Sequence, residues 1–190
     1  MRYSATHKEE TRQKLLESSG AIAKRGGFST TGVDGLMKAI GLTGGAFYSH
    51  FPSKNDLFTA IVQRELSQSL IGAVSREEGF SRDKLERCLA RYLSMAHLQN
   101  PETGCAIPAL GAEIARADLA VREEAEHWML QLQRAWADIL GSGELAWALL
   151  AQCVGALVVA RMLAREETQA EVLEASRQVL GQMVLKPLES

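Results

Sequence analysis

The side chains best suited to chemistry are gathered between Thr30 and Lys54: the hydroxyls of Thr31, Thr43 and Tyr48, the imidazole of His50 and the ammonium of Lys54, with Gly44, Gly45 and Ala46 among them. Their spacing does not suit acid–base or nucleophilic catalysis. The chain contains no G-x-x-x-x-G-K-[ST] loop, G-x-S-x-G elbow or H-E-x-x-H pair, so no catalytic residue, cofactor site or metal site is expected. What the group suits is a polyanion. Thr43, Gly44, Gly45 and Ala46 open a very short helix, and their small side chains allow close approach of the backbone. Tyr48 and His50 carry hydrogen-bonding groups on stiff rings. Lys54 stands at the start of a longer helix, where free N–H groups and the positive end of the dipole favour a phosphate. A Tyr, a His and a Phe within one turn also suit plain local packing, so the surrounding elements must decide.

Apolar residues recur at helical spacing nearly throughout, and no period-2 run of useful length occurs, which predicts an all-α fold. A first helix is expected over Lys8 to Arg25, stopped by Gly26-Gly27. Thr31 and Asp34 resemble a capping box opening a second helix with Val33, Leu36, Met37 and Ile40 on one stripe. Gly41 closes it, Thr43 caps the short third helix, and Phe51-Pro52 ends that one. Ser53 and Asp56 then cap a long helix over Lys54 to Val74. Two short helices around the tight Gly41-Leu42-Thr43 turn, with a supporting helix before them, have the dimensions of a helix-turn-helix whose second helix enters the major groove.

At 190 residues, with 46% hydrophobic and 23% charged residues, the chain suits one core or a small module joined to a larger one. The net charge of −2 hides an asymmetry: residues 1–60 hold eight Lys/Arg against five Asp/Glu, so a mildly basic front precedes an acidic body. Three scattered cysteines argue against a disulfide framework, and the polar N-terminus lacks the apolar core of a secretory signal, so a cytoplasmic location is expected.

The segment GLTGGAFYSHFPSKNDLF resembles the signature of tetracycline-repressor-type (TetR family) transcriptional regulators, with Tyr48-x-His50-Phe51-x-x-Lys54 as its specific core and a match over about residues 8–60. The resemblance implies an N-terminal three-helix helix-turn-helix domain, here 1–53, and a C-terminal helical ligand-binding and dimerisation domain, here 54–190. It makes Thr31, Tyr48, His50 and Lys54 phosphate contacts, places Thr43, Gly44, Gly45 and Ala46 near the bases, and makes Phe47 and Phe51 core anchors. Members of the family often carry a long polar residue where this chain has Gly44.

In the body, Leu85, Cys88, Leu89, Tyr92, Leu93 and Ala96 form one amphipathic stripe. A short helix is expected over Ala106 to Ala115, and another capped by Asp118, with Ala125, Trp128, Leu132, Ala135, Trp136 and Ile139 inward. A helix over Glu144 to Arg165 and a last one capped by Thr168 complete the chain. Leu145 to Ala160 carries no formal charge but reaches Arg161 too soon for a bilayer, so a helix buried on all sides is expected, with no membrane contact. The shallow face of Ala151, Gly155 and Val159, with Ala156 and Ala160, and the stripe Val172, Val179, Leu180, Met183 and Val184 suit a homodimer contact through the last two helices.

Cys105 lies just before a helix N-terminus, where the dipole favours a thiolate. The stretch Gly104 to Glu113 resembles a branch of the same family that includes regulators answering electrophiles or oxidants. Cys105 is therefore either a redox sensor or a small apolar packer. The resemblance also suggests an effector cavity lined by Tyr92, Met95, Trp128, Met129 and Trp147, residues that equally suit plain core. His97, Glu113 and His127 are the remaining polar residues that could converge. The reading that follows is a homodimeric repressor on a palindromic double-stranded DNA operator, released by a small-molecule effector. Its alternatives are a Cys105-based electrophile or oxidant sensor and, outside DNA binding, a small helical enzyme or a protein-binding adaptor.

Overall fold

The computed structural model describes residues 5–69, 71–72 and 79–185, and its described residues contain helices and loops only. Helix α1 (Ala5–Gly26) is followed by α2 (Val33–Ala39), a 3-10 helix (Gly44–Ser49) and α3 (Lys54–Ser67). The body contributes α4 (Arg82–Tyr92), α5 (Met95–Gln99), α6 (Ile107–Ile114), α7 (Leu119–Leu140), α8 (Gly143–Met162) and α9 (Glu166–Leu185).

Local chemistry accounts for most boundaries. Gly27 takes φ 91° after α1 and Gly41 takes φ 76° after α2, left-handed backbone that only glycine adopts cheaply. The Ser53 hydroxyl accepts from Asp56 N–H at the start of α3, and Ser81 does the same for Lys84 at the start of α4. Other expected boundaries move. The N-cap of α2 is Gly32, without a side-chain cap, so Thr31 does not close a capping box. Residues 44–49 wind as a 3-10 helix, since two leading glycines and a following Phe-Pro give an α-helix too little length to nucleate. The helix from Lys54 stops at Ser67 rather than running on; Val74 lies outside the described residues. The Asp118 carboxylate bonds Asn55 instead of capping α7, and Thr168 falls inside α9, which begins at Glu166.

The stripe from Leu85 also breaks. Ser94 caps a new short helix by accepting from His97 N–H, and Leu98 is buried while Ala96 is exposed. His97 explains the break. Its Nδ1–H donates to Tyr92 O at 2.6 Å, taking the carbonyl at the end of α4, and its Nε2 accepts from Cys105 N–H at 2.9 Å. A Cβ on Gly104 would lie 2.4 Å from the His97 ring, so that position needs glycine for close approach.

Two hydrophobic cores result. One joins α1, α2, the 3-10 helix and α3, and also takes in Ala106, Leu110, Val121 and Ala125 of the body. The other joins α4, α7, α8 and α9 around Trp136, Tyr92 and Leu149. Helix α8 is long and apolar enough to cross a membrane by length and composition, yet one face, including Leu149, Cys153, Ala156 and Ala160, lies inside this core. It is not buried on all sides, because Trp147, Val158, Val159 and Met162 are exposed on its outer face. Ala156 and Ala160 pack inward and do not belong to that face.

The two cores are joined where α1 ends. Glu113 on α6 accepts from Phe28 N–H at 2.8 Å and Ser29 N–H at 2.7 Å, while Lys54 Nζ donates to Phe28 O at 2.8 Å and Ser29 O at 3.4 Å. Charge-assisted bonds of this kind each contribute about 1.5–3 kcal/mol. Glu113→Ala should therefore cost about 2 kcal/mol, read as a fall in thermal midpoint of roughly 4–8 °C by calorimetry. An unchanged midpoint would remove Glu113 from this role.

Candidate nucleic-acid interface

The 3-10 helix sorts its side chains by threes, since i and i+3 eclipse. Gly44, Phe47 and His50 turn inward: Phe47 is fully buried and packs against Phe51 at a ring separation of 6.1 Å. Gly45 and Tyr48 turn outward, and Tyr48 is 67% exposed, its ring braced edge-on against Phe47 at 5.3 Å. Thr43 is exposed at the helix start, Ala46 is half-buried, and Ser49 Oγ donates to Ala46 O at 2.7 Å. A buried aromatic thus fixes an exposed one on a solvent-facing turn.

Thr43, Gly45 and Tyr48 are brought together on this open side. Gly44 is set back: a Cβ there would lie 1.8 Å from Asp34 Oδ1, so the glycine leaves room for the Asp34 carboxylate across the helix start. Thr31 is half-buried beside Gly35. Lys54 is turned onto the Phe28 and Ser29 carbonyls, with its Nζ 4.7 Å from the centre of the Phe28 ring. Two of its three donors are engaged there, which leaves one for an anion.

His50 is half-buried and its Nδ1 has no hydrogen-bond partner among the described residues. Burial lowers its pKa below the usual histidine value, and the nearby charges of Lys8 and Arg12 lower it further, against an opposing effect of Glu9. The free chain therefore holds a neutral imidazole at pH 7. Arg12 also lies over the Phe51 ring at 4.6 Å. Lys8 and Arg12 were missed in the sequence reading, although their i, i+4 spacing puts both on one face of α1.

The expected effector cavity does not assemble. Trp128 and Met129 line a slot of only about 40 Å³ with Leu66, Ile107, Leu132 and Ala135, far below the ~300–1,000 Å³ of a small-molecule site. Tyr92 is fully buried in the second core, Met95 packs against its edge, and Trp147 is exposed on α8. Nor do His97, Glu113 and His127 converge. Glu113 holds the end of α1 and His127 contacts Gln131 on α7. Among the described residues no three His, Cys, Asp or Glu could share a metal ion.

Cys105 is buried, and burial pushes its thiol pKa up despite the opposing Ile107 N–H and Tyr92 hydroxyl. Desolvation thus opposes the favourable effect of the helix dipole on a thiolate at this position. Cys153 is pushed up by the same cause, and Cys88 is buried too.

Residues 15–61 match the family described as bacterial regulatory proteins, tetR family. The chain is 42% identical over 69 residues to the HTH-type transcriptional regulator AcrR of Shigella flexneri, covering 36% of this chain and 31% of that protein. It is 30% identical over 97 residues to the nucleoid occlusion factor SlmA of Actinobacillus pleuropneumoniae serotype 5b, covering 50% of this chain and 47% of that one. The matched segments thus span about a third to a half of these relatives. In fold, the likeness extends over the whole chain: a TetR-family transcriptional regulator of known structure from Cytophaga hutchinsonii superimposes with a TM-score of 0.75 at 20% identity, covering 98% of this chain and 100% of that one.

The burial of all three thiols has a direct chemical readout. With an aromatic disulfide reagent at pH 8, Cys88, Cys105 and Cys153 should react slowly in the native protein and fully once it is denatured. Fast labelling of Cys105 in the native chain would restore the sensor reading.

Proposed function

Because this chain belongs to the tetR family of bacterial regulatory proteins, we propose that it is a DNA-binding transcriptional regulator, a homodimeric repressor that leaves a palindromic operator when a small-molecule effector binds. The observation that carries the reading is the 3-10 helix, whose buried Phe47 holds Tyr48 out into solvent beside the open start Thr43–Ala46. On DNA that start meets base edges, while Tyr48, His50, Thr31 and the remaining donor of Lys54 meet phosphates. The reading unit runs to residue 53, with α3 linking it to the regulatory body. AcrR and the Cytophaga hutchinsonii protein are transcriptional regulators by name, and the reading gives this chain no enzymatic role. A soluble cytoplasmic regulator fits both the family and the inward packing of α8.

Pairing is supported by where apolar surface is left open. Of eight large hydrophobic residues that are exposed among the described residues, five lie on the last two helices: Trp147, Val158, Val159 and Met162 on α8 and Val179 on α9. Such a concentration suits an interface with a second copy. Two recognition helices would then meet successive major grooves about 34–36 Å apart. Release requires an effector that prefers a conformer with another spacing, since equal affinity for both would shift nothing.

Fluorescence anisotropy on duplexes from upstream of the protein's own coding sequence tests the reading. Tyr48→Ala should weaken binding about ten-fold, equivalent to one lost charge-assisted hydrogen bond. Lys54→Ala should reduce the slope of log K against log salt by roughly 0.9 per lost phosphate contact. Absence of duplex binding at low salt would refute the function, and an unchanged slope would take Lys54 out of the interface.

The His50 shift gives a pH signature. A phosphate nearby raises the imidazole pKa above its lowered value in the free chain, so the complex takes up a proton and affinity rises as the pH falls below neutral. His50→Gln should flatten this dependence. An equally steep profile in that variant would assign the proton to another group.

A further inference from the structure

A cleft of about 630 Å³ opens between the N-terminal unit and the body, a volume within the range of small-molecule sites and at the kind of seam where such sites form. One wall is Glu17, Lys24, Arg64 and Glu65 of α1 and α3, and the other is Arg91, Ser94 and the His97–Cys105 region. It shares only Ser69 with the Trp128–Met129 slot.

The polar groups of the cleft are unevenly matched. Every carboxylate on it already has a cation: Glu65 pairs with Lys24 at 2.6 Å and Arg64 at 3.0 Å, Glu17 with Arg64 at 3.1 Å, and Glu102 with Arg25 at 3.3 Å. Arg91 has no partner among the described residues, although it lines the same cleft. The Ser69 and Ser94 hydroxyls each accept from a backbone N–H, of Gly72 and His97, which leaves their protons free to donate. Of the three cations on the lining, Lys24 and Arg64 are paired, and the exposed Arg91 guanidinium is left without a carboxylate among the described residues.

The walls are also built to hold their shape. Lys24 is buried, and its Nζ reaches across the seam to Gly104 O at 3.1 Å as well as to Glu65. A Cβ on Gly20 would lie 2.8 Å from Glu65 Oε1, so the glycine admits that carboxylate.

We propose that this cleft binds a small carboxylate, anchored on the Arg91 guanidinium and hydrogen-bonded by the Ser69 and Ser94 hydroxyls. One wall is made by α1 of the DNA-reading unit together with the linking helix α3, and the other by the body, so the occupant fixes their separation. This names the ligand class of the effector, and it rests on the repressor reading only for its consequence on DNA.

Titration calorimetry on the full chain without DNA tests it, with succinate and citrate as probes against sodium chloride of equal ionic strength. At least one carboxylate should bind with a Kd near or below ~1 mM, and Arg91→Ala should weaken it about ten-fold or more while Arg122→Ala, on exposed α7 surface, leaves it unchanged. The inference fails if neither probe binds above the chloride control, if Arg91→Ala binds as tightly as the parent, or if inorganic phosphate binds and the carboxylates do not. Because binding is read without DNA, these failures leave the repressor reading standing, and a chain that ignores duplexes can still confirm the site. A shift of the operator titration by the same carboxylate, lost in Arg91→Ala, ties the two together.

Discussion

The placement of the reading helix depends on two consecutive peptide groups held from both sides. After Gly27 turns the chain out of α1, the N–H groups of Phe28 and Ser29 meet the Glu113 carboxylate and their carbonyls meet the Lys54 ammonium. A turn of this kind normally leaves such groups to water. Here an acid from α6 and a base from α3 take them, so one short loop ties three helices together. Phe28 adds an apolar contact, stacking on Phe58 of α3 at 4.5 Å with the rings 10° from parallel. The side chain that looks most like a phosphate ligand in the sequence is thus also a structural brace, and its remaining donor is already aimed by the other two bonds.

From that brace the recognition element inherits its stiffness. A 3-10 helix of this length has little stability of its own, and two glycines weaken it further. Its order comes from Phe47 and Phe51, which are buried in a core shared with α1, α2 and α3. The same core reaches into α6 and α7 through Leu110 and Val121. A displacement of α6 would therefore act on the reading unit through both apolar packing and the Glu113 bonds, without any change within the 3-10 helix itself.

Local features were legible in the sequence; pairings across long separations were not. The Ser53 and Ser81 caps and the Gly27 and Gly41 stops are written in adjacent residues, while the core role of Phe47 and the outward role of Tyr48 come from the family resemblance. Helix breaks were harder. The interruption after Tyr92 needs His97 to turn back onto a carbonyl five residues earlier, and periodicity alone carries straight through it. Harder still was Glu113, which reads as one more surface acid until folding brings it beside residues 84 and 85 positions away. The supposed cavity residues failed for a related reason. Aromatic and Met residues at helical spacing mark an apolar face, but whether two faces leave a gap depends on the distance between helices, which no single helix encodes. At Cys105 the nearby helix start can be read from the sequence, whereas the burial that raises the thiol pKa cannot.

The Lys24–Glu65 pair bears on why the seam is polar at all. Removing two charges from water is costly, and well-packed apolar residues in their place are often as stable or more so. The pair is not needed for stability alone. What it provides is registry: Lys24 also bonds Gly104 O, so one ammonium fixes α1 against α3 and against the body at the same time. An apolar seam would hold the two units by area, tolerating small slides. A charged one has few good geometries, and a ligand that supplies or withdraws an acceptor there changes which of them is best. A seam fixed by a few directional bonds is therefore suited to switching between discrete arrangements.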